Sequence, residues 1–184
     1  MRVKSVIIAV AIMLTVNLFA GDFINIDGVS TEIGKKRAAF FNNKLSSLKS
    51  ESKVKKLKVV NGLFNRFIRY DSDMKIYKKK QFIATIEETV LSMSGDCDDY
   101  AMAKFQALKF LGFKNNELIL LLSIKNGIKH IKLVAKAENR FYVLDNSNRE
   151  FRVLRKKEKN QIDNKFLKSE VFEDLISKKK RRMS

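Results

Sequence analysis

The 184-residue chain has one cysteine, one histidine, no tryptophan and no proline. A single cysteine excludes an intramolecular disulfide, and in an oxidising compartment a lone thiol is a liability unless it is buried or has chemistry to do. A single histidine leaves one imidazole, His130, for any acid–base step near neutral pH. The missing Trp and Pro carry little functional information. Acidic residues are also scarce: 20 Asp and Glu against 38 Lys and Arg give a formal net charge of +18. There is no internal repeat, and the length suits one domain with a real core better than two.

The first 20 residues read as a targeting segment. "MRVK" is a short basic region, "SVIIAVAIMLTVNLF" an apolar stretch without charge, and Ala20 a small residue before a polar turn. This is the pattern of a secretory signal peptide over residues 1–20, cleaved near Ala20. Leu18 is bulkier than such sites prefer, so an uncleaved anchor is the alternative. Either way residues 21–184 are expected to form a single exported, periplasmic domain whose mature part does not span the membrane. Export changes the meaning of the charge. Nucleic acid would suit a cytoplasmic protein this basic, but outside the inner membrane it is mostly absent. Anionic headgroups, acidic envelope polymers or an acidic protein substrate remain. The basic tail from about residue 178 reads as a solvated run.

Periodicity places helices first and strands second. Apolar residues at 33, 38, 40 and 41 suggest a short helix, and those at 54, 57, 60, 63, 64, 67 and 68 an amphipathic one with Lys and Arg outward. Residues 71–82 read as a polar connection. Thr85 followed by Glu88 is a capping-box pattern opening a short helix. From Cys97 to Leu111 an almost uniformly apolar helix is expected, stopped by Gly112. Residues 117–124, 130–137 and 140–145 then read as an antiparallel meander, with Asn126-Gly127 favouring a tight turn. A last helix is expected over residues 164–182. The layout is α+β.

The chemistry gathers at "SGDCDDYAMAKF", residues 94–105. Cys97 falls in the first turn of the buried helix, where unpaired N–H groups and the positive end of the dipole stabilise a thiolate and can hold an oxyanion. A thiolate nucleophile needs a base able to protonate a leaving amine, and His130 is the one imidazole. An imidazole needs an acceptor that fixes its orientation. Asp145 closes the adjacent strand, and pairing of strands 130–137 and 140–145 would bring residues 130 and 145 nearly opposite each other. A cysteine on a helix start, a histidine on a following strand and an aspartate on the next form a papain-like arrangement in transglutaminase order. Separately, Asp96, Asp98 and Asp99 crowd the thiol; close carboxylates suit a hard divalent cation, while Asp96 could instead cap the helix and Asp98 and Asp99 complement its dipole.

"GDCDDYAMAKFQALKFLGF", with "HIKLVA" and "YVLDN" downstream, resembles the bacterial transglutaminase-like cysteine proteinases, in particular the LapG-type periplasmic adhesin proteases, over about residues 59–146. The resemblance implies a papain-like or transglutaminase-like core, with the nucleophile on a helix N-terminus packed against an antiparallel sheet. It implies Cys97 as nucleophile, His130 as general base and acid, and Asp145 as the residue orienting it. It further implies Ca2+, with Asp96 and Asp98 as first ligands and Asp99 as a third. The substrate it implies is the N-terminal region of a large surface adhesin, cut to control biofilm attachment. It also implies an inner-membrane cyclic di-GMP receptor that sequesters the protease. The chain departs from the family pattern in two respects: neither Trp nor Pro precedes the nucleophile helix, and Asp98 stands where Glu is expected. The competing functions are a peptidase or amidase acting on another envelope substrate, and a basic, calcium-stabilised binding module in which Cys97 is inert.

Overall fold

The computed structural model describes residues 23–25, 29–125, 128–147, 151–155 and 166–167. The expected signal peptide, the Asn126-Gly127 turn and the basic tail lie outside them. Helices come first: α1 (Glu32–Ser46), α2 (Lys53–Phe67), α3 (Asp73–Tyr77), α4 (Ile86–Ser92) and α5 (Cys97–Phe110). Two short strands, β1 (Arg69–Tyr70) and β2 (Ser94–Gly95), pair in parallel just ahead of α5. The second half supplies β3 (Leu118–Lys125), β4 (Ile128–Ala137), β5 (Arg140–Leu144), β6 (Phe151–Val153) and β7 (Phe166–Leu167). These form one five-stranded antiparallel sheet in the order β6-β5-β4-β3-β7. The α+β expectation holds.

Local chemistry explains the helix ends. Thr31 Oγ1 accepts from Gly34 N at 3.1 Å to open α1. The Thr85–Glu88 capping box forms as the sequence predicts: Glu88 N donates to Thr85 Oγ1 at 3.3 Å and Thr85 N to Glu88 Oε2 at 2.7 Å. α5 closes with a Schellman motif in which Phe113 N and Gly112 N donate to Leu108 O and Lys109 O, both at 3.0 Å. Gly112 has φ +91°, a value that favours glycine. Glu138 and Asn139, with φ 48° and 58°, make the two-residue turn between β4 and β5.

Helix α5 lies at the centre, packed on β4 from one side and on α2 and α4 from the other. That position accounts for its almost uniformly apolar sequence, with Met102, Ala103, Phe105, Ala107 and Leu108 all buried. Strands β3 to β5 alternate as period 2 requires. Leu118, Leu120, Leu133, Ala135, Tyr142 and Leu144 face the helices. Leu121, Val134 and Val143 form a smaller cluster on the opposite face. No helix among the described residues is long and apolar enough to cross a membrane.

Three local expectations change. The polar connection over 71–82 contains α3, because Asp73 opens a turn whose polar residues carry too little periodicity to read as a helix. The pairing of β1 with β2 is a two-residue contact without a hydrophobic pattern of its own. Within the helix expected over 164–182, Phe166 and Leu167 instead extend the sheet by pairing with Leu121 and Leu120; the rest of that segment lies outside the described residues.

Phe64 on α2 is fully buried, with its ring 5.3 Å from that of Phe41. Phe64→Ala should lower stability by about 3–5 kcal/mol through lost burial and the cavity left behind. Urea unfolding would read this as a lower midpoint at unchanged slope.

Candidate active site

Cys97 is the first residue of α5, and Asp96 is its N-cap with extended backbone (φ −96°, ψ −164°). The cap is reciprocal: Asp98 N donates to Asp96 Oδ1 at 3.2 Å, and Asp96 N donates to Asp99 Oδ2 at 3.2 Å. The other oxygen of Asp99 accepts from Ala84 N at 2.7 Å, tying the helix start to the segment before α4. No acceptor among the described residues takes the Cys97 N–H. The thiol itself is half-buried.

His130 stands on β4, its ring 2.9 Å from Asp145 through Nε2 and Oδ1. Cys97 lies near enough for its thiol to influence the imidazole. The structure thus brings Cys97, His130 and Asp145 together in the order the sequence suggests. One detail differs. Leu144 pairs with Leu133, so continuing the register places Asp145 across from Lys132 and diagonal to His130 rather than opposite it. Residues 130 and 132 share a face, and a diagonal neighbour is within reach of long side chains. Ser147 N and Oγ each donate to Asp145 Oδ1 at 2.9 Å, so the carboxylate is fixed from two directions.

These contacts set the charges. The hydrogen bond to Asp145, then the nearby Cys97, holds the His130 imidazole up at about 9, with burial opposing. Burial works against ionising Asp145, yet hydrogen bonds from His130 and Ser147 outweigh it and keep the carboxyl well below the usual range. Beside them opens a cleft of about 480 Å³, lined among others by His130, Arg69, Tyr70, Asn146 and Ser147.

A separate acidic group gathers at the start of α5. Ligand oxygens of Asp73, Asp96 and Asp99 all fall within 4.8 Å of one another. Of the three aspartates expected around a cation, Asp96 and Asp99 converge with Asp73 from α3. Asp98 lies against Asp96, its Oδ1 buried and without a hydrogen-bond partner among the described residues, and burial with this contact pushes its carboxyl well up. Burial likewise raises Asp99, to about 7, against the pull of the Ala84 N–H. Asp73 Oδ2 accepts from Phe82 N at 2.7 Å, while its Oδ1 is buried with no hydrogen-bond partner among the described residues. Three converging carboxylates, one of which carries an orphaned buried oxygen, fit a hard cation that takes oxygen ligands. Asp73 was not legible as a site residue, because 23 residues separate it from Asp96 and its segment carries no motif.

A helix opening on a cysteine and packed against an antiparallel sheet that presents a histidine is the framework of a transglutaminase-like cysteine peptidase. The chain belongs to the bacterial transglutaminase-like cysteine proteinase (BTLCP) family, whose model matches residues 36–174. It is therefore a cysteine peptidase by family, with protein as its substrate class. Among solved structures it is similar to LapG of Legionella pneumophila, with TM-score 0.62 at 21% identity over 79% of this chain and 78% of that one. The EGTA-treated form of LapG gives TM-score 0.62 at 21% identity, covering 79% and 77% of the two chains. The calcium-bound form gives 0.60 at 22%, covering 74% and 76%. At these identities the likeness shows the fold. No curated protein matches the chain in sequence.

Two predictions follow from this geometry. A Cβ on Gly95 would stand 2.6 Å from Asp99 Cβ and 3.0 Å from its Oδ2, so Gly95→Ala must displace the carboxylate that holds the helix start. A loss of about 1–3 kcal/mol is expected in chemical unfolding. The second concerns pH. The folded pKa of His130, about 9, lies above the ordinary 6.5, so its stabilisation is complete below pH 6.5 and is lost as pH rises through about 9. The stability gap between wild type and His130→Gln should be open at pH 6 and closed by pH 10; a gap independent of pH would contradict the charged pair.

Proposed function

We propose that the protein is an exported, calcium-dependent cysteine endopeptidase using Cys97, His130 and Asp145. The observation that carries this reading is the 2.9 Å hydrogen bond between the His130 imidazole and the Asp145 carboxylate, with Cys97 close by at the start of α5. Cys97 as thiolate attacks a peptide carbonyl carbon, and the Cys97 N–H contributes to holding the oxyanion. His130, charged by the proton taken from the thiol, gives it to the departing amine; it then takes a proton from the water that opens the thioester. Asp145 keeps the ring oriented and stabilises its charged form. The cleft beside His130 is where an extended peptide would lie.

Asp73, Asp96 and Asp99 are the residues that would hold calcium. Bound there, the cation supplies positive charge that offsets three converging carboxylates and ties α3 to the first turn of α5. The calcium-bound structure of LapG concerns that protein; for this chain the support is the donor set and the orphaned Asp73 oxygen. The substrate we propose is the N-terminal region of a large surface adhesin in the periplasm, with sequestration by an inner-membrane cyclic di-GMP receptor. Both rest on family resemblance. A chain of net charge +18 suits an acidic protein partner.

Incubating the protein with an adhesin N-terminal region, with and without calcium, tests the reading. Cleavage should fall at least about 10³-fold in Cys97→Ala. Chelation should lower the melting temperature of wild type by several degrees but leave Asp73→Asn little changed, since a ligand stabilises only the state that binds it. Undiminished proteolysis by Cys97→Ala would remove the nucleophile assignment. Melting indifferent to exhaustive chelation would remove the metal.

A further inference from the structure

Lys104 is fully buried on α5, seven residues or about two turns after Cys97. Burying an ammonium group costs several kcal/mol unless it is well paired, and the partners of Lys104 carry no charge. Its Nζ donates to Asn61 Oδ1 at 2.9 Å and to Asn65 Oδ1 at 2.7 Å, with the Tyr100 ring 5.6 Å away. Asn61 and Asn65 sit one turn apart on α2 and are themselves buried. Three polar side chains in the middle of a core are an expensive way to fill space that Leu or Met would fill.

The arrangement fixes a direction. Lys offers donors only, so the atom of Asn65 facing it is the amide oxygen, and the NH2 group must point the other way. There Asn65 Nδ2 donates to the main-chain oxygen of Asp145 at 2.7 Å, and more weakly to Asn61 Oδ1 at 3.3 Å. Asp145 lies one residue past the end of β5, where the ladder no longer holds its backbone. The bond from Asn65 takes over that task, while His130 and Ser147 hold the carboxylate. The helix that opens on Cys97 is in this way keyed, through α2, to the residue that orients His130.

We propose that Lys104 is a positioning residue: by taking the Asn65 amide oxygen it turns the Asn65 NH2 onto the Asp145 carbonyl, and so sets the Asp145 carboxylate against His130. The proposal rests on the reading of Cys97, His130 and Asp145 as the catalytic unit. Burial pulls the Lys104 amine down to about 7, with Asp145 opposing; the donor-only character that orients the Asn65 amide belongs to the charged form, which the observed pair of amide oxygens favours.

Lys104→Met keeps the volume and removes the donor; Asn65→Leu removes the bond to Asp145 directly and serves if the first variant does not fold. Because the chain has one histidine, the NMR titration of its imidazole reports His130 alone. In each folded variant that titration should move from about 9 toward 6.5, and kcat on the cleaved substrate should drop at least tenfold with KM within twofold. A variant that folds with a wild-type titration and kcat within twofold overturns the proposal. If wild type cleaves nothing yet its imidazole titration moves in the variants, the positioning stands and the protease reading fails. If wild type cleaves and neither readout moves, the reverse holds.

Discussion

The carboxylate of Asp99 is fully buried, and the placement of Cys97 depends on it. One oxygen closes the cap on Asp96, and the other reaches Ala84, so a single side chain fixes both the start of α5 and its distance from the segment before α4. A carboxylate that deep has strong reason to be neutral unless other groups compensate it. The N–H groups of Ala84 and Asp96 do part of this, and a cation shared with Asp73 and Asp96 would do the rest. Gly95 has no side chain because Asp99 occupies the space where one would go. The crowding of acids around a thiol in so basic a chain is thereby resolved in part: Asp99 turns inward to brace the helix.

Much of this was legible in the sequence. The amphipathic period of α2, the Thr85–Glu88 box and the Gly112 stop are short-range signals, in which the residues that interact are close along the chain. The chain order of cysteine, histidine and aspartate was legible too, because strand alternation and a two-residue turn at Glu138-Asn139 nearly fix the register. What escaped required knowledge of long-range approach. Asp73 joins Asp96 only because β1 pairs with β2, and a ladder of two residues has no pattern to announce it. Lys104 sits inside an apolar run with nothing nearby in the chain to mark it as buried; its burial follows from Asn61 and Asn65, whose place on α2 reads as ordinary helix.

The site is assembled from elements of different rigidity. Cys97 is held by helix and cap, His130 by the middle of a sheet, and Asp145 by side-chain hydrogen bonds just beyond a strand end. The diagonal approach of Asp145 to His130 depends on where the backbone leaves the ladder. Ordinary packing cannot supply that control, and it falls to Asn65 and Ser147.

The strand order also bears on how the molecule comes together. β3, β4 and β5 follow one another in the chain and lie side by side, so the meander that brings His130 toward Asp145 closes only short loops. Its two flanks are covered by β6 and β7, which come later in the chain. During synthesis the central meander precedes the strands that cover its edges, and open edges are what other chains pair with. A product truncated before residue 151 would carry Cys97, His130, Asp145 and Ser147 with both edges bare. Strands β6 and β7 thus shield a nascent chain from aggregation, a task apart from the hydrogen bonds that Asn65 and Ser147 give Asp145.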